Sequence, residues 1–305
     1  MTLRVAINGY GRIGRNLLRA YFESGADPAL ELVAINDLGA AEALVHLTRH
    51  DSTHGPFPGQ VSLAGEDLEV EGRRIPLLRE PEPELLPWKD LAVDLVLECT
   101  GRFRARAQAG RHLAAGARRV LIGAAPFDDV DATLVYGVNH GDFRPGHRIL
   151  SSVSCTTNAL VPLVKILDDA FGVEAGMMTE IHAVTSDQVL GDSAHRDLRR
   201  GRAGGMSIIP TTSSSIGALR RVLPGIGPLV QGLSLRVPTH DVAALDFAFL
   251  ARRAPGVREM NSLFAQRAKT LGGRIIGYTE EPLVSRDFVH SPCSLVFDAS
   301  WTSVF

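Results

Sequence analysis

A glycine triplet near the start of the chain restricts its fold more than any other feature. Leu3-Arg-Val-Ala-Ile-Asn8 reads as a short buried strand and runs directly into Gly9-Tyr-Gly11-Arg-Ile-Gly14. An apolar rhythm of helical period follows at Ile13, Leu17, Leu18 and Tyr21. A second strand, Leu30 to Asn36, ends on Asp37. Strand, helix and strand at this spacing predict a βαβ unit with a right-handed crossover. Gly9 allows the tight turn, Gly11 lets a pyrophosphate approach the backbone, and Gly14 allows close helix–strand packing. The helix N-terminus then faces the phosphates. A carboxylate at Asp37 accepts the adenosine-ribose hydroxyls and repels a 2′-phosphate, which favours NAD over NADP.

The chain has 305 residues, 45% hydrophobic and 22% charged, with a net charge of −2. That length predicts two domains. The charge balance gives no pull toward nucleic acid or an anionic membrane, so neither is an expected partner. No stretch approaches a membrane span, and Met1 leads into a strand rather than a signal peptide, so the expected location is the cytoplasm. Three scattered cysteines, Cys99, Cys155 and Cys293, suit a reducing compartment. Zinc-type spacing is absent and no metal is expected.

Further along, residues 56–78 carry short alternating runs that predict small antiparallel strands, including Ile75-Pro-Leu77. Asp94 to Gly101 reads as a buried strand with a turn, followed by a helix over 105–116 and strands at 118–122, 133–138 and 147–153. The pattern changes at Cys155. A helix (155–170), a strand (176–184) and a polar, Arg-rich segment (185–206) lead to a helix (214–222), strands 233–237 and 242–250, a helix (257–270) and a last strand, 295–298. The expected fold is α/β, with a Rossmann-type doubly wound parallel sheet in residues 1–154. An α+β catalytic domain with a mostly antiparallel or mixed sheet follows in 155–305.

Cys155 lies in Ser154-Cys-Thr-Thr-Asn158, where an extended stretch gives way to a helical one. Unpaired N–H groups and the positive end of the dipole at a helix N-terminus favour the thiolate. The same N–H groups suit an oxyanion formed when that thiolate attacks a carbonyl. His182, on an expected strand, is the candidate base. Cys99 reads instead as a small core residue and Cys293 as incidental. Arg199, Arg200 and Arg202 read as a solvated face, whereas Arg236, inside the apolar run 233–237, needs a partner such as an anionic ligand. A thiol, a base and a dinucleotide together suggest oxidation of an aldehyde through a thioester.

These residues resemble the glyceraldehyde-3-phosphate dehydrogenase family, including its relative erythrose-4-phosphate dehydrogenase. The likeness runs from Arg4 to about Ser303. It is carried by residues 6–15, Asp51-Ser-Thr-His-Gly55, Ser154-Cys-Thr-Thr-Asn158, Asp197-Leu-Arg-Arg200, Ser207-Ile-Ile-Pro-Thr211, Arg236-Val-Pro-Thr239 and Tyr278-Thr-Glu-Glu-Pro-Leu-Val-Ser285. The resemblance implies a thiohemiacetal on Cys155, proton transfer to His182, hydride transfer to NAD and phosphorolysis of an acyl thioester. It extends the cofactor set to Asn8, Arg12, Ile13, Thr100 and Gly101. Thr185, Ser213, Ser214, Arg200 and Arg236 fall to the anion sites for substrate phosphate and inorganic phosphate, with Ser154 and Thr156 flanking the attacking phosphate. A homotetramer is implied, with residues 185–206 reaching a neighbouring subunit.

Departures accompany the likeness. Ser152-Val153 replaces the usual Asn-Ala, Gly123 a Ser near the nicotinamide, Ser214 a Gly, Asp241 an Asn and Cys293 a His. The chain ends at Phe305, ahead of the family's Asp-Asn-Glu-Trp-Gly-Tyr segment and C-terminal helix, which implies a shortened catalytic domain. The expected substrate is glyceraldehyde 3-phosphate, which Thr185 favours because the erythrose-4-phosphate enzymes often lack a Thr there. Residues 147–151, 167–172 and 287–290 read closer to that other branch, whose thioester is hydrolysed. An impaired NAD-binding protein is a further alternative. A cysteine hydrolase using Cys155 and His182 is the last, and it leaves the glycine triplet unexplained.

Overall fold

A computed structural model describes residues 2–271 and 273–305. The chain divides into two compact units, Met1–Leu134 with Asp142–Val153, and Val135–Gly141 with Ser154–Phe305.

In the first unit, β1 (Leu3–Asn8), α1 (Arg12–Glu23) and β2 (Leu30–Asn36) form the expected βαβ unit, and α2 (Ala41–Arg49) follows. Three short strands, β3 (Val61–Ala64), β4 (Asp67–Val70) and β5 (Arg73–Ile75), make an antiparallel sheet of their own. The chain continues through β6 (Leu77–Leu78), β7 (Leu95–Glu98), α3 (Arg106–Ala114), β8 (Arg119–Ile122), β9 (Ala132–Thr133) and β10 (Ile149–Ser151). The main sheet has seven strands in the order β9-β10-β8-β7-β1-β2-β6, and every pairing is parallel.

Alternation along β1 explains the double winding. Ala6 points into one apolar cluster with Trp88, Val96, Ala109 and Val120, while Ile7 points into another with Leu18, Ile35, Leu44 and Val45. Both faces are buried, so both need helices. Each fully buried Leu, Ile or Val contributes about 1.5–3 kcal/mol.

Three local expectations are corrected. The run Ile75-Pro-Leu77 is two strands, because Pro76 has no N–H for a ladder: β5 ends before it and β6 joins β2 after it. Residues 133–138 pair only as far as Thr133; the Asn139 side chain takes the Val135 N–H, and Gly137 turns at φ 87°. The strand expected over 94–101 ends at Glu98, one residue before Cys99. Helix α2 escaped notice in sequence because its N-cap, Ala40, offers no capping side chain.

The second unit opens with α4 (Cys155–Phe171) and continues through β11 (Val173–Ala183), β12 (Ile209–Thr211), α5 (Ser215–Val222), β13 (Val230–Val237), β14 (Ala243–Ala251), α6 (Val257–Thr270), β15 (Ile276–Thr279) and β16 (Leu295–Asp298). Its sheet runs β12-β13-β11-β14, with β11 parallel to β13 and the outer strands antiparallel. The mixed sheet agrees with the expected class. Helix α4 buries Leu160, Val161, Val164 and Leu167, and ends where Gly172 turns left-handed at φ 72°. On β11, Met178 and Glu180 are buried, whereas Met177 and Ile181 on the alternate face stay 45% and 37% exposed. Among the described residues no helix is long and apolar enough to cross a membrane.

Candidate active site

The start of α4 places Cys155 at the first helical position. Ser154 caps the helix by accepting the Thr157 N–H at 3.1 Å. Just before it, Val153 holds a left-handed backbone at φ 55°, an uncommon state for a β-branched residue. The Cys155 Sγ lies 3.3 Å from His182 Nε2 on β11. Register puts Arg236 of β13 beside His182, so cation and imidazole share one end of the sheet.

The other imidazole nitrogen determines what His182 does. His182 Nδ1 is 2.6 Å from the Ala183 carbonyl oxygen and 2.5 Å from Arg236 Nη1, and Arg236 Nη1 is itself 3.0 Å from that carbonyl. A guanidinium only donates, so it competes with a proton on Nδ1. We assign the Nδ1 proton to the Ala183 carbonyl, with Arg236 donating to the same oxygen. Nε2 then faces the sulfur and can take its proton.

Cys155 presents exposed surface, yet the protein packed around it still counts against ionisation. Burial pushes its thiol up, but the hydrogen bond and charge of His182 outweigh this and the net shift is downward. For His182, burial pulls down, while the sulfur and the Ala183 carbonyl raise it above an ordinary histidine despite the Arg236 charge. Burial lowers Arg236 too, opposed by Glu180 and Cys155. The two other thiols differ. Burial pushes Cys99 up to about 12, and Cys293 donates to the Gly273 carbonyl at 2.9 Å.

Among the expected anion-site residues, Arg200 is clamped: it donates to Asp187 at 2.7 Å and to Thr212 Oγ1 at 3.1 Å. Its charge bears on Arg236, whose Nε is buried with no hydrogen-bond partner among the described residues. Thr185 donates through both its N–H and its hydroxyl to Gln188, at 2.9 and 3.2 Å. The Ser213 hydroxyl accepts the Ser215 N–H at 3.2 Å, and Ser214 is an exposed residue at the start of α5 with no capping bond. Three acidic residues went unnoticed in sequence: Asp187, which orients Arg200; Glu98 in the first unit; and Glu180. Glu180 is only 3% exposed and accepts the Thr156 hydroxyl. Its sequence signal was parity, since Met178, Glu180 and His182 alternate onto one face.

In the first unit, Gly9 turns at φ 92°, and a Cβ there would stand 2.6 Å from the Thr100 backbone N. A Cβ on Gly14 would lie 2.2 Å from the Gly9 carbonyl oxygen, whereas one on Gly11 meets nothing within 4 Å. The first N–H groups of α1 have no side-chain cap. Asp37 accepts Tyr10 N–H and Gly39 N–H at 2.7 and 2.8 Å, and its oxygens retain lone pairs. An uncapped helix start beside a bare glycine, with a carboxylate at the end of β2, fits a dinucleotide. Ile13 is 48% exposed and Arg12 pairs with Asp51. The Asn8 side chain is turned inward to Glu98 and Asn36, and Glu98 also takes the Thr100 N–H and hydroxyl, next to Gly101 at φ 71°. Gly14→Ala should therefore force β1 and α1 apart, lowering stability by about 1–3 kcal/mol and weakening NAD binding. A thermal melt and an NAD titration check this; an unshifted melt refutes it.

Together the doubly wound sheet, its glycine turn and the second, mixed-sheet unit define the class: an NAD-dependent oxidoreductase. Comparison with known sequences narrows it. Residues 3–106 match the family described as glyceraldehyde 3-phosphate dehydrogenase, NAD binding domain, and residues 154–305 match its C-terminal domain. The chain belongs to the glyceraldehyde-3-phosphate dehydrogenase family. It is 48% identical over 304 residues to the plasmid-encoded glyceraldehyde-3-phosphate dehydrogenase of Cupriavidus necator, covering all of this chain and 90% of the relative. The enzymes of that name from Xanthobacter flavus and Pseudomonas aeruginosa are also 48% identical, over 305 and 304 residues, with the same coverage.

Proposed function

We propose that this chain oxidises glyceraldehyde 3-phosphate to 1,3-bisphosphoglycerate through a thioester on Cys155. One observation carries the reading: the 3.3 Å approach of Cys155 Sγ to His182 Nε2, with Nδ1 anchored on a carbonyl. The Cys155 thiolate adds to the aldehyde carbon, and the backbone N–H groups at the start of α4 hold the resulting oxyanion. His182, holding the thiol's proton on Nε2, gives it to this oxyanion to form the thiohemiacetal hydroxyl, and takes it back as hydride leaves and the thiohemiacetal collapses to an acyl thioester. NAD, when bound, supplies the acceptor for the hydride that leaves the same carbon. Arg200 and Arg236 hold anions, and inorganic phosphate attacks the thioester carbon to release an acyl phosphate and the Cys155 thiolate. The catalytic pair is thus Cys155 and His182. This reading also implies a cytoplasmic homotetramer.

The test is NADH production by the 305-residue chain with each aldehyde, with and without phosphate. Sustained turnover of glyceraldehyde 3-phosphate should require phosphate, and its omission should leave a burst of about one NADH per Cys155. Phosphate-independent turnover confined to erythrose 4-phosphate would replace this substrate and this acyl acceptor.

A further inference from the structure

We propose that Glu180 is a positioning residue that turns the Thr156 hydroxyl proton away from the Cys155 sulfur and so restrains formation of the thiolate. The inference rests on Cys155 being the attacking group. Thr156 is the neighbour of Cys155 in the first turn of α4, and its Oγ1 stands 3.9 Å from Sγ. The same hydroxyl contacts the Glu180 carboxylate of β11 at hydrogen-bonding distance. A hydroxyl has one proton and a carboxylate only accepts, so the proton goes to Glu180. The sulfur then faces a lone pair of the Thr156 hydroxyl, while the Thr156 backbone N–H still donates to it.

Geometry keeps Glu180 in that role. It is 3% exposed and sits two residues before His182 on the buried face of β11. Across the sheet it pairs with Ser234, which pairs in turn with Thr211. Among the described residues, the hydroxyls of Ser234 and Thr211 are buried and have no hydrogen-bond partner. Thr156 is therefore the neutral donor that Glu180 engages. The charged groups around the sulfur are His182 from β11 and Arg236 from β13, with Arg200 and Asp187 bearing on Arg236. Glu180 adds a negative charge that favours the Arg236 guanidinium, and a like charge near the sulfur opposes a thiolate.

Removing the carboxylate should move the thiol's titration to lower pH. The thiol loses a like charge and gains the freed Thr156 donor. In Glu180→Gln and Glu180→Met the midpoint for iodoacetamide alkylation of Cys155 should fall, so that alkylation well below the midpoint becomes about threefold to tenfold faster. Because burial pushes the thiol up, loosened packing would lower the midpoint too, but that shift would persist undiminished in a Thr156→Val background. In a Thr156→Val background the Glu180→Met shift should shrink to the part due to charge. Thr156→Val alone should leave the midpoint nearly in place, and it provides the reading if neither Glu180 variant folds. A midpoint that stays or rises in folded Glu180 variants, or that rises in Thr156→Val, overturns the proposal. The alkylation profile needs no turnover. A chain that makes no NADH would refute the proposed reaction while leaving this inference open to its own measurement.

Discussion

Replacing Cys155 by Ser should cut NADH production by more than about a thousandfold while leaving the NAD dissociation constant unchanged. The contrast follows from the partition of roles between the two units. Every cofactor-fitting feature, from the Gly9 turn to Asp37, lies in the first unit, whereas Cys155 begins α4 in the second. A serine hydroxyl ionises far above neutrality, so neither the helix start nor His182 can make it comparably nucleophilic. Initial rates and a fluorescence titration with NAD measure the two quantities. Residual turnover within tenfold of the parent would remove Cys155 from the chemistry. A parallel loss of NAD affinity would show that the substitution had damaged the fold.

His182→Asn should reduce turnover by about a hundred- to ten-thousandfold, the usual contribution of a positioned base. It should also raise the alkylation midpoint of Cys155. The sign follows from the opposed shifts: the thiol is lowered and the imidazole raised, each by the other. Below the thiol's midpoint the sulfur is protonated and slow, and above that of the imidazole His182 can no longer act as a cation. Without His182, burial, which pushes the thiol up, is opposed by the smaller effect of the Thr156 contacts alone. An unchanged midpoint in a folded variant would mean that the 3.3 Å contact does not govern the sulfur.

Much of the fold is legible in the chain because its signals are local. Gly9, Gly11 and Gly14 between an apolar run and a helical period can serve few other purposes, and the parallel sheet follows from burial on both faces of β1. The errors came where one residue overrides a pattern. Pro76 divides an alternating run, and Gly137 with Asn139 folds residues 135–139 into a turn. The site is less legible, because its distances are products of topology. Nothing near Cys155 in sequence says that β11 will place His182 opposite it, or that β13 will bring Arg236 alongside. Arg236 stood out as a charge in an apolar run, and its neighbours then proved to be His182 and the Ala183 carbonyl. Glu180 carried a comparable signal, a charge at a position whose parity is buried, but a single acidic residue on a strand attracts less notice than a guanidinium.

The left-handed Val153 has a consequence for how the start of α4 tolerates change. A strained backbone state of this kind costs about 1–3 kcal/mol. The side chain is 3% exposed, and burying a valine returns about 1.5–3 kcal/mol. The two nearly cancel, so the residue adds little to the resistance of the chain to heat. Its contribution is to the path of the main chain into Ser154, where a glycine would bend as readily but leave the joint without an anchor.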